Sequence, residues 1–213
     1  MKCAYRAGGV LAPNGKIYFA PANALQALAI DPLLSAAEFF GTELPGKIQY
    51  AAAGVLASDG KIYFAPANAP CALAIDPLRP AAELIGPELS GRNKYCAAGA
   101  LAPDGKIFFA PSDAPRALAI DPLRSTAELV GPELPEESKY VAAGVPAPDG
   151  KIYFAPHNAH RALVIDTLRS TAEVLGPPLT EKFKYAAAGV LAPDGKIYFA
   201  PCNATHVLAV DPL

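Results

Sequence analysis

Short apolar segments alternate with turn-forming residues along the chain, and residues 95–139 show the order most clearly. Two apolar runs, residues 97–102 and 106–111, flank Asp104-Gly105, a pair typical of a tight β-hairpin because Gly accepts positive φ. A third run, residues 117–122, ends in Asp-Pro, which favours a turn and stops strand pairing. A fourth run, residues 126–131, follows at once. The pattern predicts four short antiparallel strands.

The fourth run has two interpretations. In the first copy, Asp31-Pro32 followed by residues 33–41 also fits a short helix with an N-cap, a first-turn Pro and a Gly stop. Against this, Pro80 follows Pro77 by three residues in the second copy, and an interior Pro costs a helix about 3 kcal/mol. Thr and Val at this point of later copies favour a strand. We therefore predict a strand.

The four-strand pattern recurs every 45 residues without insertion or deletion. The tyrosines that open the copies are Tyr5, Tyr50, Tyr95, Tyr140 and Tyr185. A fixed period of this size indicates a solenoid, a propeller or an array. The strand segments are continuously apolar, as expected when both sheet faces are covered. The sequence predicts an all-β fold: one five-bladed β-propeller over residues 1–213, with units 5–49, 50–94, 95–139, 140–184 and 185–213.

The last unit stops after its third strand, so blade 5 is expected to lack its outermost strand. The residues before Tyr5 reach only about 14 Å and cannot replace it, which leaves residues 206–210 as an open edge. Two arrangements remain open: a monomeric closed ring, or an edge-paired dimer, strand exchange or a piece of a larger ring. A glycine in each inner strand is expected to let the strands crowd around a narrow axis; these are Gly9, Gly54, Gly99, Gly144 and Gly189.

The repeat resembles the YVTN and Kelch-like propeller repeats. The similarity lies in the run Asp-Gly-Lys-Ile-Tyr-Phe-Ala-Pro, as at Asp59, followed by a Leu-x-Ile-Asp-Pro strand, and it covers nearly the whole chain. The chain differs from Kelch repeats in carrying Ala65-Pro66 in place of a Gly pair and in lacking a blade tryptophan. The resemblance implies a propeller, a fold that serves lectins, scaffolds and enzymes alike.

Composition narrows the classes of partner. The net charge is −2 with no run of like charges, which argues against a nucleic-acid partner. No apolar stretch approaches the roughly 18 residues of a membrane span, and the N-terminus runs directly into the first repeat, so neither a membrane segment nor a signal peptide is predicted. The four cysteines, Cys3, Cys71, Cys96 and Cys202, occupy unrelated repeat positions, which favours free thiols and a cytoplasmic location.

Candidate binding residues fall in two variable connections, the one before strand one and the one between strands two and three. Both lie at the same end of an antiparallel blade, where binding residues usually sit. The second connection carries an Asn or Asp in every unit, and Arg116 and Arg161 in two of them. The Asn/Asp series is Asn23, Asn68, Asp113, Asn158 and Asn203. Ligand contact is one role for this series, and side-chain bonding to the turn backbone is the other.

The five opening tyrosines also allow two roles. Their hydroxyls could surround the opening of the central axis and bind a sugar or peptide. Alternatively, each aromatic ring could pack on a neighbouring blade while its hydroxyl bonds a loop carbonyl. Three histidines and one cysteine are the candidate ligands of a metal ion. His157, His160 and His206 share the variable loop with Cys202, but neighbouring blades are too far apart for bonds of about 2.0–2.3 Å.

No nucleophile motif, paired carboxylates, phosphate loop or cofactor signature occurs. Near-identical units offer one residue several times, whereas catalysis needs different residues in different roles. The sequence therefore predicts a non-catalytic propeller without a cofactor that binds a carbohydrate, a peptide or a protein on its loop face. The alternative is a structural module that self-associates through the incomplete last blade. A lyase or hydrolase is the third interpretation.

Overall fold

The computed structural model describes residues 3–212, and every regular element in that range is a β-strand. Blades 1 and 2 contain β1 (Val10–Leu11), β2 (Ile17–Phe19), β3 (Ala27–Asp31), β4 (Ala36–Phe40), β5 (Val55–Leu56), β6 (Ile62–Phe64), β7 (Ala72–Asp76) and β8 (Ala81–Ile85). Blade 3 contains β9 (Ala100–Leu101), β10 (Ile107–Phe109), β11 (Ala117–Asp121) and β12 (Thr126–Val130). Blade 4 contains β13 (Val145–Pro146), β14 (Lys151–Phe154), β15 (Ala162–Asp166) and β16 (Thr171–Leu175), and blade 5 contains β17 (Val190–Leu191), β18 (Ile197–Phe199) and β19 (Leu208–Val210).

Each blade is an antiparallel sheet whose strands follow chain order, with four strands in blades 1–4 and three in blade 5. The five-bladed propeller and the incomplete last blade are therefore confirmed. The Asp-Gly hairpins are confirmed as well: Gly105 has a φ of 87°, and the Asp104 carboxylate accepts the Lys106 amide at 3.1 Å. The fourth run is a strand in every complete blade, so the helical alternative does not apply. No helix able to cross a membrane occurs within residues 3–212.

Blades stack through two chemically different faces. The aliphatic face of blade 3 carries Ile107, Phe109, Leu118 and Ile120, all fully buried. It packs against the alanine face of blade 2, which consists of Tyr63, Ala65, Ala72 and Ala74. Equivalent clusters join blades 1 and 2, 3 and 4, and 4 and 5. Small side chains opposite large ones let neighbouring sheets approach closely, which explains the alanine content of the repeat.

The two faces at the ends of the series remain uncovered. Tyr198 on the alanine face of blade 5 is 37% exposed, whereas the equivalent Tyr63 is 0% exposed. On the aliphatic face of blade 1, Leu28 and Ile30 are only half-buried, although Ile120 is completely buried. No hydrophobic cluster joins blade 5 to blade 1 among residues 3–212. Within residues 3–212 the five blades thus form an open arc, which favours the second of the two arrangements left open by the sequence over the monomeric closed ring.

The inner-strand glycines have a different role from the expected one. A Cβ on Gly99 would lie 2.5 Å from the Phe109 ring of its own blade, and the other four inner glycines meet the equivalent Phe at the same distance. Glycine is therefore required because the Phe of the second strand covers the start of the first, rather than because the inner strands crowd around an axis.

We expect charge on an end face to be tolerated and charge between blades to be harmful. Ile120→Glu would bury an unpaired carboxylate and cost at least about 4 kcal/mol. Ile30→Glu, at the equivalent position of the half-buried face of blade 1, should cost only about 1 kcal/mol. Urea unfolding of both variants measures the difference, and equal losses would contradict the open arc.

Candidate ligand-binding face

Two sets of loops form one end of the arc. The inner loops, residues 44–49, 89–94, 134–139 and 179–184, precede the first strands of blades 2–5, and the middle loops, residues 21–26, 66–71, 111–116, 156–161 and 201–206, join the second and third strands. In one inner loop, the Lys139 amide donates to the Ser112 carbonyl of the preceding blade at 3.1 Å. The Lys139 carbonyl accepts the His157 amide of its own blade at 2.7 Å. The two variable connections therefore lie together, as the sequence indicates.

The repeated Asn/Asp links successive inner loops. Asn68 donates its Nδ2 to the Lys47 carbonyl and accepts the Asn93 amide on its Oδ1, both at 2.8 Å. Asn93, whose amide is accepted, has a left-handed backbone conformation with a φ of 47°. Three other members accept the equivalent amide: Asn23, Asp113 and Asn158. The geometry supports the backbone-bonding role, and contact with a ligand stays a prediction.

The tyrosines that open the units lie inside the stack. Tyr50, Tyr95 and Tyr140 are 0% exposed and Tyr185 is 3% exposed, while Tyr5 on the open end of blade 1 is half-buried. Each hydroxyl donates to a middle-loop carbonyl 21 residues further on, as Tyr95 does to Arg116 at 3.0 Å. Burial raises the pKa of all five phenols. The rings hold the loops, and a ligand reaches the four buried hydroxyls only if this packing opens.

A buried cation precedes three of these tyrosines. The Lys94, Lys139 and Lys184 side chains are 2%, 0% and 0% exposed, and each ammonium donates to the carbonyl three residues earlier. Burial lowers the pKa of all three. Gln49 occupies the same position before Tyr50 and donates to the Pro45 carbonyl. The sequence analysis missed this role, although a Lys directly before the tyrosine recurs in three units.

A cleft of about 620 Å³ lies on this face between two consecutive inner loops. It is lined by Lys47, Ile48, Asn68, Gly91, Arg92 and Asn93. Lys47 and Arg92 occupy the same repeat position and are exposed. Neither forms an ion pair within the described part of the chain. The cleft therefore offers two cationic donors to an anionic group.

The two candidate arginines are placed differently. Arg116 pairs with Glu133 at 3.1 Å on the exposed surface. Arg161 lines a smaller groove of about 200 Å³ together with His160 and Glu136. The structure thus does not bring Arg116 or Arg161 into the cationic cleft.

The candidate metal ligands are also separate. The His157 ring meets the Tyr185 carbonyl at 3.1 Å through Nδ1 and contacts the edge of Phe183. His160 bonds the Leu179 carbonyl, and His206 bonds Thr205. No group of three or more His, Cys, Asp or Glu residues suited to a metal occurs among residues 3–212. The four cysteines are free thiols, with Cys71 buried and Cys3 and Cys202 exposed.

Comparison with known proteins supports the fold. Virginiamycin B lyase from Staphylococcus aureus superposes with a TM-score of 0.67 at 15% identity, over 99% of this chain and 71% of that chain. Hydrazine synthase from Kuenenia stuttgartiensis superposes with a TM-score of 0.64 at 15% identity, and the match covers 100% of this chain and 65% of that chain. An auxiliary nutrient binding protein from Bacteroides thetaiotaomicron superposes with a TM-score of 0.55 at 12% identity, and the match covers 99% of this chain and 56% of that chain.

No protein-family model and no curated protein sequence matches the chain. The β-propeller class is therefore shown by structure, and the YVTN or Kelch-like assignment stays a prediction. Since the structural neighbours include both a lyase and a nutrient-binding protein, the fold by itself favours neither catalysis nor its absence.

We predict that Asn68→Ala destabilises the protein by about 1–2 kcal/mol, because two backbone groups lose their partner. Asn203→Ala is the matched control, since no inner loop follows it among the described residues. Urea unfolding compares the two variants. Equal stabilities would show that the bridge between inner loops contributes nothing.

Lys139→Gln tests the buried cation, with Gln49 as the natural precedent for its fit. Because the folded-state pKa of Lys139 is lowered from the unfolded value of 10.5, the unfolded chain binds more protons between the two values. The stability of the unmodified protein relative to the variant should therefore rise as the pH increases towards 10.5. Urea unfolding from pH 7 to 10.5 measures this difference, and parallel curves would contradict the lowered pKa.

Proposed function

We propose that this protein is a non-catalytic binding propeller that recognises an acidic carbohydrate or peptide on its loop face. The observation that carries the proposal is the cleft between residues 44–49 and 89–94, where Lys47 and Arg92 lie exposed and form no ion pair with any of residues 3–212. Charge-assisted hydrogen bonds to carboxylates or similar anions are among the stronger polar contacts that proteins make.

The surroundings of the cleft support a role in ligand binding rather than loop sequence variation without function. Both cation-bearing loops are fixed by Asn68, whose side chain bonds the backbone of each. A rigid scaffold reduces the ordering cost when a ligand binds. In this proposal the Asn/Asp series and the buried tyrosines position the loops, Lys47 and Arg92 contact the ligand, and Arg161 in its own groove offers a secondary contact.

The expectation that the protein is not an enzyme remains part of this proposal. It is supported by the separation of the three histidines, each of which bonds a nearby loop group. The competing proposal is lyase chemistry, since a lyase shares the fold. Turnover of an acidic oligosaccharide or a cyclic peptide by the purified protein would favour that competitor.

Self-association is the second candidate function. Blade 5 leaves β19 paired on one side only among the described residues, and Val207 beside it is 58% exposed. An open strand edge is a template for pairing with another chain. A dimeric mass that falls to a monomer on dilution would favour this candidate. The four free thiols further lead us to propose a reducing, cytoplasmic location.

We expect Lys47→Ala and Arg92→Ala each to weaken binding by about tenfold or more, because each removes a charge-assisted hydrogen bond. An array of acidic and neutral glycans and peptides identifies the ligand, and calorimetry measures the affinities. Tighter binding at low salt is expected as well, since the cations are exposed.

Lys182→Ala is the matched control because Lys182 holds the same repeat position outside the cleft. It should leave the affinity unchanged. A loss as large as that of Lys47→Ala would indicate a nonspecific charge effect, and the absence of any binder on the array would overturn the proposal.

A further inference from the structure

The two ends of the arc present complementary surfaces. Blade 5 exposes Tyr198 and Ala209 of its alanine face, and blade 1 leaves Leu28 and Ile30 of its aliphatic face half-buried. At the four junctions inside the molecule, the equivalent residues of both faces pack against each other, and all except the partly buried Leu208 are buried. Each end therefore offers half of a junction that this sequence forms four times.

A third open surface lies at the outer corner between blades 4 and 5. A Cβ on Gly131, after the last strand of blade 3, would lie 2.5 Å from Ala172 of blade 4, yet a Cβ on the equivalent Gly176 of blade 4 would meet nothing within 4 Å. The free edge of β19 borders this space. A strand that carries an alanine at the position of Ala172 would fill this space.

The structural comparison indicates how long a segment between the two ends would be. A chain of 213 residues that spans 71% of virginiamycin B lyase implies a neighbour of about 300 residues, so about 87 residues lie outside the superposed part. That length is close to two repeat units of 45 residues. A complete second copy, with five blades, exceeds such a gap, because successive blades of a propeller are related mainly by rotation about one axis.

We propose that the open arc binds a two-unit segment of the same 45-residue repeat, which completes the ring. The first strand of the segment pairs with β19 and covers Gly176. The first complete blade of the segment packs its aliphatic face on Tyr198 and Ala209. The last blade of the segment packs its alanine face on Leu28 and Ile30. All three open surfaces are then filled by contacts already present at the internal junctions. This inference is independent of the cationic cleft.

The test extends the full chain after Leu213 by a second copy of residues 79–168, which continues the repeat in register for two units. Ile30→Glu is placed in both the original and the extended chain, with Ile120→Glu as the control for a covered face. We expect Ile30→Glu to lower the thermal midpoint by about 2 °C in the original chain and by about 8 °C or more in the extended chain. The extended chain should be monomeric and should bind less hydrophobic dye than the original chain, whose two end faces are exposed.

Four results would overturn the proposal. An equally mild effect of Ile30→Glu in both chains would show that the added blades do not cover blade 1. A severe effect in an original chain of monomeric mass would show that the arc closes on itself, and a severe effect with dimeric mass would assign the faces to a second copy. An extended chain that aggregates or melts below the original one would show that the gap does not accept two units.

Discussion

The packing of an aliphatic face on an alanine face determines most of this structure. The aliphatic side chains of one blade, such as Leu118 and Ile120, need a flat surface of small residues, which Ala72 and Ala74 of the preceding blade provide. Because the two faces alternate along each strand, a shift by one residue would exchange them and break both neighbouring junctions. This requirement fixes the same strand register in every unit. It also explains why the first and last blades of the arc each keep one uncovered face.

The same packing separates structural from free positions on the loop face. Tyr95 and Asn68 recur because each bonds backbone groups that the repeat always places at the same distance. The side chains at the repeat position of Lys47 and Arg92 do not bond such backbone groups among residues 3–212. In the inner loop before blade 4, Glu137 occupies the same position. Chemistry specific to this protein is therefore expected where units differ, while the residues common to all units maintain the scaffold.

Sequence periodicity predicted the elements well but left the closure of the ring undecided. The Asp104-Gly105 hairpin and the strand of residues 126–130 follow from local turn chemistry and β-propensity, so they were accessible without coordinates. The opening of the arc depends on the rotation between blades, which is set by side-chain volumes across whole faces. Likewise, the burial of Lys139 and the cleft at Arg92 depend on loops from different blades meeting, and no single unit contains that information.

Differences among the inner loops also give the loop face a direction. The inner loops before blades 2 and 3 carry Lys47 and Arg92, the loop before blade 4 carries Glu136 and Glu137, and the loop before blade 5 carries Glu181 beside Lys182. Fixed charges of opposite sign on two sides of one face orient an approaching polar ligand and repel its reversed pose. Under the proposed function, the acidic group of the ligand is thus expected over Lys47 and Arg92 rather than over Glu136 and Glu137. Near-identical blades can in this way produce a single, oriented binding mode, because a few loop substitutions break the symmetry that the packing imposes.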